Sequence, residues 1–440
     1  MPGDRPRIHW VSPLPPAETD IAHYTRRILP ELAARADLTL WTDAKSWDAG
    51  LETFCPVRHL DPRRILPGQM RSSGSHGDRP GTLFINIGNA WRFHAGLLAL
   101  ARRMPSVIVL HDLAVQEMFC DAVHHGLLAR YGYLAAMQRW YGEEGRDAAQ
   151  DVLDGTQSAV DLGQRFPGFE LAMENAAAVL VHTPAAAQAV AARGFLPAYR
   201  LDLPFRATGP ACRGRSMQGP LRLVQFGHIG PNRRLEQILE ALAGMGPDFD
   251  FVLDIAGKLW NPELIDARCE ALGISRKVRR HGYVPEAGLD YLLGRAHLVF
   301  NLRHPTMGEA SGSQLRIWNA AAAAVVTDQG WYHHLPDDTV LRVPVEGEIP
   351  ALQKLIARLD ADRAVGRDLG MAGRKRLVDR HNPALYADGI VDVAHAFERD
   401  ARDMLIAKSA RRLLSRGPEI SGSMASGHLG SDRLARILSQ

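Results

Sequence analysis

The chain has 440 residues, 46% of them apolar and 23% charged, with a formal net charge of +3. That length exceeds what one hydrophobic core ordinarily serves and points to two domains. The composition excludes a disordered or fibrous chain, and so weak a charge gives no reason to expect a nucleic-acid partner. Cys55, Cys120, Cys212 and Cys269 are scattered, without CxxC or metal-ligand spacing; they read as reduced thiols of a cytoplasmic protein rather than disulfide partners or zinc ligands. The N-terminus has no apolar core of signal-peptide length, and no window reaches the ~18–20 apolar residues of a membrane span. Any membrane contact is therefore expected to be peripheral, at the inner face of the membrane.

From the N-terminus, "RIHWVS" (7–12) reads as a strand, "IAHYTRRILPELAARA" as a helix and "LTLWT" (38–42) as a strand. "GTLFINIG" (81–88), a helix through "AGLLALARRM" and the strand "SVIVLHD" (106–112) follow. A helical region covers about 127–160 and 164–176, and "AAVLVHT" (177–183) is the next strand, followed by a short helix. Continuous Val, Ile and Leu runs separated by helices indicate a parallel sheet covered on both faces. The stretch 206–218, within "RATGPACRGRSMQG", has no periodicity and reads as a linker.

The rhythm then restarts. "LRLVQFGHIG" leads into "RLEQILEALAG" and "FDFVLDIAGK" into "NPELIDARCEALG"; "KVRRHGYV", "HLVFNLR", "AAVVTD" and "TVLRVP" follow. The expected fold class is α/β, with two Rossmann-like doubly wound domains, 1–205 and 219–382, facing across a cleft. Ligands of such sheets sit outside the carboxyl ends of the strands. Residues 383–416 carry one long helical pattern or two shorter ones, which can cross back to the N-terminal domain, and 417–440 is a Gly/Ser-rich tail expected to be flexible. The basic run "AKSARRLLSR" fits either an anionic lipid surface or, more plainly, a solvated helix end.

Three places could carry chemistry. In "VQFGHIGPNRRLEQIL", Gly227 and Gly230 bracket a turn directly after a strand, so the backbone can approach a ligand and the following helix start favours an anion. Arg233 and Arg234 add forked donors suited to phosphate, and His228 a further donor. A plain tight turn is the competing reading, since neither a Walker loop nor GxGxxG is present. In "PTMGEASGSQLR", Ala310, Ser311, Gly312 and Ser313 place backbone N–H groups at another helix start. Glu309 beside them would repel phosphate and suits the hydroxyls of a neutral polyhydroxylated group; electrostatic capping of the helix is the bland alternative. In the first domain, His111 and Asp112 stand at the carboxyl end of a strand. Asp20 and Tyr24 follow a Pro-rich first loop that is equally readable as plain surface, and Asn89 follows the strand 81–88.

These residues carry a resemblance. "FGHIGPNRR", "DIAGKLW", "HGYV" and "NLRHPTMGEASGSQLR…VVTDQGWYHHLPDD", in this order, resemble the retaining glycosyltransferases of GT-B fold, family 4. The nearest pattern is a bacterial branch reading roughly "LRxPTxGExSGSLLRxLxxGxPVVVTDxGWxxELPDD". "HWVSPLPPAETDIAHYTRRILPELA" and "VIVLHDL" extend the likeness, which spans about residues 7 to 395.

The resemblance implies a nucleoside diphosphate sugar held by the C-terminal domain and an acceptor held by the N-terminal one; the lack of an Asp-x-Asp cluster placed for a bridging metal leads to the expectation of no metal or other cofactor. It casts Arg233 as the residue gripping the diphosphate, with Gly227, His228 and Gly230 around it. Tyr283 and Val284 would meet the nucleobase. Glu309 would bind sugar hydroxyls, with residues 310–313 against sugar and phosphate. His111 stands on the acceptor side of the reacting sugar, and Asp20, Tyr24 and Asn89 are the remaining acceptor-side candidates.

The sequence also departs from the pattern. The motif's second glutamate is absent, with Ile317 at the strict spacing and Arg316 at the branch's corresponding place. An alanine run, 320–324, replaces the usual Gly and Pro, and Asp20 replaces a glycine.

The expected function is transfer of a sugar to a hydroxyl acceptor (glycan, lipid-linked or small molecule) with retention, by residues Glu309, His111 and Arg233. Glu309→Ala is expected to leave the fold intact and cut turnover sharply. The alternative is a nucleotide-sugar-binding accessory subunit with little activity of its own. A nucleotide-sugar epimerase would need further carboxylates and histidines, and a nicotinamide dehydrogenase a proper GxGxxG. The oligomeric state is not legible.

Overall fold

The computed structural model describes residues 5–71, 81–194, 196–209 and 215–415. The tail expected at 417–440, residues 210–214 of the expected linker, and Cys212 lie outside the described residues. The chain divides into two compact units: Met1–His182 with Ala186–Leu201 and Ala387–Gln440, and Thr183–Ala185 with Asp202–Tyr386.

The first unit holds a seven-stranded sheet of β1 (Arg7–Val11), β2 (Asp37–Thr42), β3 (Val57–His59), β4 (Thr82–Ile87), β5 (Ser106–Leu110), β6 (Ala176–Val181) and β7 (Ala198–Arg200). Its order is β3-β2-β1-β4-β5-β6-β7, with every pairing parallel. Every residue of β1, β4, β5 and β6 is buried, because helices cover both faces of the sheet, and this is why their sequences run apolar without alternation. The chain builds outward from β1 in one direction and from β4 in the other. The switch point, where such sheets receive ligands, therefore lies at the carboxyl ends of β1 and β4.

The second unit repeats the plan with β8 (Leu221–Phe226), β9 (Phe251–Ala256), β10 (Val278–Gly282), β11 (Leu298–Phe300), β12 (Ala323–Thr327) and β13 (Leu341–Val343), all parallel. The order β10-β9-β8-β11-β12-β13 puts its switch point between β8 and β11. Its last long helix, Arg363–Arg380, lies close to the sheet through Gly366, Gly370 and Gly373, where a Cβ would meet Leu359, the Ala321 carbonyl or the buried Trp318 ring.

Some elements differ from the sequence reading. The edge strands β3 and β7 have only three residues each, none fully buried, so no apolar run announces them. A helix at Gln116–His124 precedes the helical region, which resolves into Arg130–Leu153, Ala159–Arg165 and Phe169–Ala172, with a break at Gly142 (φ 71°). The helix Asp20–Arg35 continues through Pro30, because Ile21, Tyr24, Thr25, Ile28, Leu29 and Leu32 keep one buried face on both sides of it. Within the expected linker, Arg215 donates to the carbonyls of Ala296 and Ala320, and Thr208 N to Asn319 Oδ1, which ties these residues into the second unit.

Residues 383–415 form one helix, Pro383–Ser415. Its start belongs to the second unit and the part from Ala387 onward to the first. There Asp388 meets Arg35 at 2.5 Å, the Ala394 carbonyl accepts from Thr82 Oγ1, and Gly389 admits the Leu201 side chain. Among the described residues no helix is long and apolar enough to cross a membrane.

Candidate active site

In the second unit the carboxyl ends of three neighbouring strands are closed by glycines with positive φ: Gly227 after β8 (101°), Gly257 after β9 (130°) and Gly282 at the end of β10 (62°). They are laced together by Gly227 N to the Ala256 carbonyl (2.9 Å) and Gly257 N to the Gly282 carbonyl (2.7 Å). A Cβ on Gly257 would lie 2.0 Å from the Gly227 carbonyl oxygen. Only a chain without side chains at these points can close the strand ends into such a shelf of bare backbone.

Arg233 lies beneath the shelf, 4% exposed, in the short helix Pro231–Arg233. Its guanidinium donates to the Phe226 carbonyl (3.1 Å) and to Asn301 Oδ1 (3.4 Å). Asn301, the first residue after β11, donates in turn to Gln314 Oε1 (2.9 Å) and Ser311 Oγ (3.4 Å). Ser311 caps the helix Gly312–Asn319 by accepting from Gln314 N at 3.1 Å, as its small polar side chain allows. Gln225 Nε2 holds the Arg233 carbonyl at 2.8 Å. Gln225 Oε1 and Gln314 Nε2 are buried with no hydrogen-bond partner among the described residues.

One polar network thus joins the turn after β8 to the helix start after β11, across the switch point. Ala310, Gly312 and Ser313 at that helix start are half-buried. A Cβ on Gly312 would meet nothing described within 4 Å, so there is open space beside this helix start. An anion fits such a place by the unpaired N–H groups and the helix dipole together.

The other expected donor-side residues differ in their surroundings. Arg234 is in the left-handed region (φ 58°), and its Nε bonds the buried Glu348 carboxylate at 2.8 Å in a structural ion pair. His228 is exposed, Tyr283 is 88% exposed, and Val284 packs partly into the core. Arg316, where a carboxylate was the family expectation, reaches Asp290 (3.1 Å) and Glu286 (3.4 Å) on the helix Glu286–Arg295.

Glu309 is held from within the chain. It is 13% exposed, and both oxygens already accept from the chain: Oε1 from Arg303, Oε2 from Thr306 Oγ1 (3.0 Å) and Met307 N (2.8 Å). Burial alone would raise its pKa, but the Arg303 charge and these bonds outweigh that and hold the carboxyl below its usual range. Each oxygen has two lone pairs, so Oε1 retains one position for an outside hydroxyl.

In the first unit, His111 follows β5. Its Nε2 lies 2.9 Å from Asn86 Oδ1, Tyr24 meets the ring edge-on at 4.8 Å between centroids, and His182 tilts against it at 5.1 Å. Burial first, then the charges that His182 and His94 would carry, push its pKa well below 6.5, so the ring is neutral at ordinary pH.

Of the acceptor-side candidates, only Tyr24 (3% exposed) joins this cluster. Asp20 is an exposed residue in the first turn of a helix that Thr19 caps. Asn89 is engaged at both ends of its amide, accepting from Met118 N (3.1 Å) and donating to Glu117 (2.5 Å), and so fastens the helix Gln116–His124. Asn86, Asn301, Gln314 and Arg303 escaped the sequence reading. The signal for the first two is a lone Asn within or ending an apolar strand run.

Two Rossmann-like doubly wound units, each with its loops gathered at a switch point, define the GT-B type of fold. Solved structures share it. HepE of Anabaena, crystallised with UDP, is similar over 89% of this chain and all of that one, at 13% identity and a TM-score of 0.57. Sucrose-phosphate synthase of Thermosynechococcus elongatus covers 94% of this chain and is itself fully covered, at 15% identity and a TM-score of 0.56. The lipopolysaccharide outer core galactosyltransferase WaaB matches over 88% and 99%, at 11% identity and 0.52. Identities this low show the fold alone. No family model matches the chain, and no curated protein matches it in sequence.

Proposed function

We propose that the protein transfers a sugar from a nucleoside diphosphate sugar to a hydroxyl acceptor, with retention at the anomeric carbon. The carrying observation is the network from Arg233 through Asn301 to Ser311, which sets a buried guanidinium and a helix N-terminus on two sides of one switch point. A diphosphate suits that pair, and the fold is the one in which Anabaena HepE was crystallised with UDP and with UDP-glucose. In this reading the second unit binds the donor. Arg233 and the amides near Gly312 stabilise the charge that grows on the leaving diphosphate, commonly the largest catalytic contribution. Glu309 offers its remaining lone pair to a sugar hydroxyl, and His111 and Tyr24 belong to the acceptor side.

Among the described residues no group of three or more His, Cys, Asp or Glu side chains is placed to hold a metal ion. The reading assigns charge neutralisation to protein groups and is tested with and without a chelator. A thermal-shift screen with GDP, UDP, dTDP and ADP should show stabilisation by at least one nucleotide, followed by diphosphate release from the matching sugar donor. Arg233→Lys, which keeps the charge and loses the fork, should cut turnover by roughly 10²–10³. No stabilisation by any nucleotide overturns the reading. The inward engagement of Glu309 favours, as a second reading, a donor-binding subunit with little activity of its own. Saturable nucleotide binding without diphosphate release over any acceptor panel marks that case.

A further inference from the structure

Asn86 is a polar residue in the middle of an apolar strand, on β4 and fully buried. Each of its polar groups but the backbone N–H touches a different element near the first unit's switch point. Its Nδ2 lies 3.0 Å from the Val11 carbonyl at the end of β1, its Oδ1 lies 2.9 Å from His111 Nε2, and its own carbonyl lies 3.1 Å from His94 Nδ1. A carbonyl only accepts, so the amide end facing Val11 must be the NH₂ group. The end facing His111 is then the oxygen, and His111 Nε2 must carry the proton. A neutral ring protonated there has its lone pair on Nδ1.

The geometry points to Asn86 as a positioning residue that locks His111 in the neutral Nε2–H tautomer and so keeps Nδ1 as a hydrogen-bond acceptor for a substrate hydroxyl. The inference rests on the acceptor-side role proposed for His111, but the tautomer lock itself does not. The groups facing the ring are Tyr24 from the helix Asp20–Arg35, His182 after β6, His94 from the helix Trp91–Arg103, and Asn86. Asp112, next in sequence, accepts from Asn89 N at 2.9 Å. No carboxylate is hydrogen-bonded to the imidazole among the described residues, so the neutral amide sets the tautomer without drawing the ring into its charged form.

The test uses the full-length chain with ¹⁵N-labelled histidine, the His111 signals being assigned by their loss in His111→Gln. The wild type should show a protonated Nε2 and a bare Nδ1 at neutral pH. Asn86→Asp retains an acceptor of the same shape but adds a charge. It should raise the His111 pKa by roughly 1–3 units and move the acid limb of the rate–pH profile upward with it. Asn86→Leu should mix the tautomers and lower kcat by roughly 10²-fold while leaving the donor KM nearly unchanged. A wild-type signal with Nδ1 protonated overturns the inference, as does Asn86→Asp with an unmoved His111 titration. Both readouts come from the spectrum, so they decide the tautomer lock even if no transfer activity is found, which would count against the proposed function separately.

Discussion

Removing the Glu309 carboxylate should cost stability as well as turnover. Three donors converge on it: the Arg303 guanidinium, the Thr306 hydroxyl and the Met307 amide. A hydrogen bond to a charged partner contributes about 1.5–3 kcal/mol net. Water entering the gap left by alanine restores part of this, so Glu309→Ala is expected to cost about 2–4 kcal/mol, lowering the melting transition of the second unit by roughly 5–15 °C. Glu309→Gln keeps the volume and one acceptor and should cost about half as much. The carboxyl pKa is held below its usual range in the folded chain. Its stabilisation is therefore fully present above the unfolded value of about 4.3 and fades as pH falls through the folded one. The gap between wild type and variants should be widest near pH 7 and close progressively below about pH 4. Calorimetry across that range, with turnover measured on the same samples, tests this. Wild-type melting of Glu309→Ala at pH 7, or a gap that persists unchanged into acid, refutes the inward anchoring.

Two further outcomes follow from backbone geometry. Gly257→Ala places a methyl against the Gly227 carbonyl at a φ of 130°; it should destabilise the second unit by about 3 kcal/mol or more and abolish the nucleotide thermal shift, and a variant with the wild-type melting temperature counts against the shelf geometry. Ala321 is a buried non-glycine at a φ of 49°; Ala321→Gly should be neutral or stabilising by up to about 1 kcal/mol in urea unfolding, and a loss of more than that denies the strain.

The strand–helix rhythm was legible because parallel strands covered on both faces must be apolar throughout. That marked eleven of the thirteen strands and left out β3 and β7, three-residue edge strands with no fully buried position and so no reason to be apolar. The turn after β8 and the loop 309–313 were legible from glycines and small residues following apolar runs. What those positions bond to was not. Sequence spacing puts Arg234 beside Arg233 and an acid at 309, but only the fold brings Glu348 to the first and Arg303 to the second. Arg316 is the same case: its partners, Glu286 and Asp290, come from a helix some thirty residues earlier in the chain. Asn86 and Asn301 look in the sequence like flaws in apolar strands, and their meaning appears only when loops from other strands deliver groups to bond.

The chain path through the helix Pro383–Ser415 bears on how the protein is made. The first unit takes its last piece from Ala387 onward, so it is discontinuous in sequence and encloses nearly all of the second. A ribosome adding about 5–20 residues per second delivers Leu201 long before Ala387, leaving an interval of roughly 10–40 s. Through that interval, Arg35, Thr82 and Leu201 lack the partners that the closing helix later supplies. The second unit, whose principal segment is unbroken, can complete itself first. Vectorial synthesis therefore favours an order in which the later-encoded half folds before the earlier one is closed, and an N-terminal fragment ending near residue 205 should not behave as a finished domain.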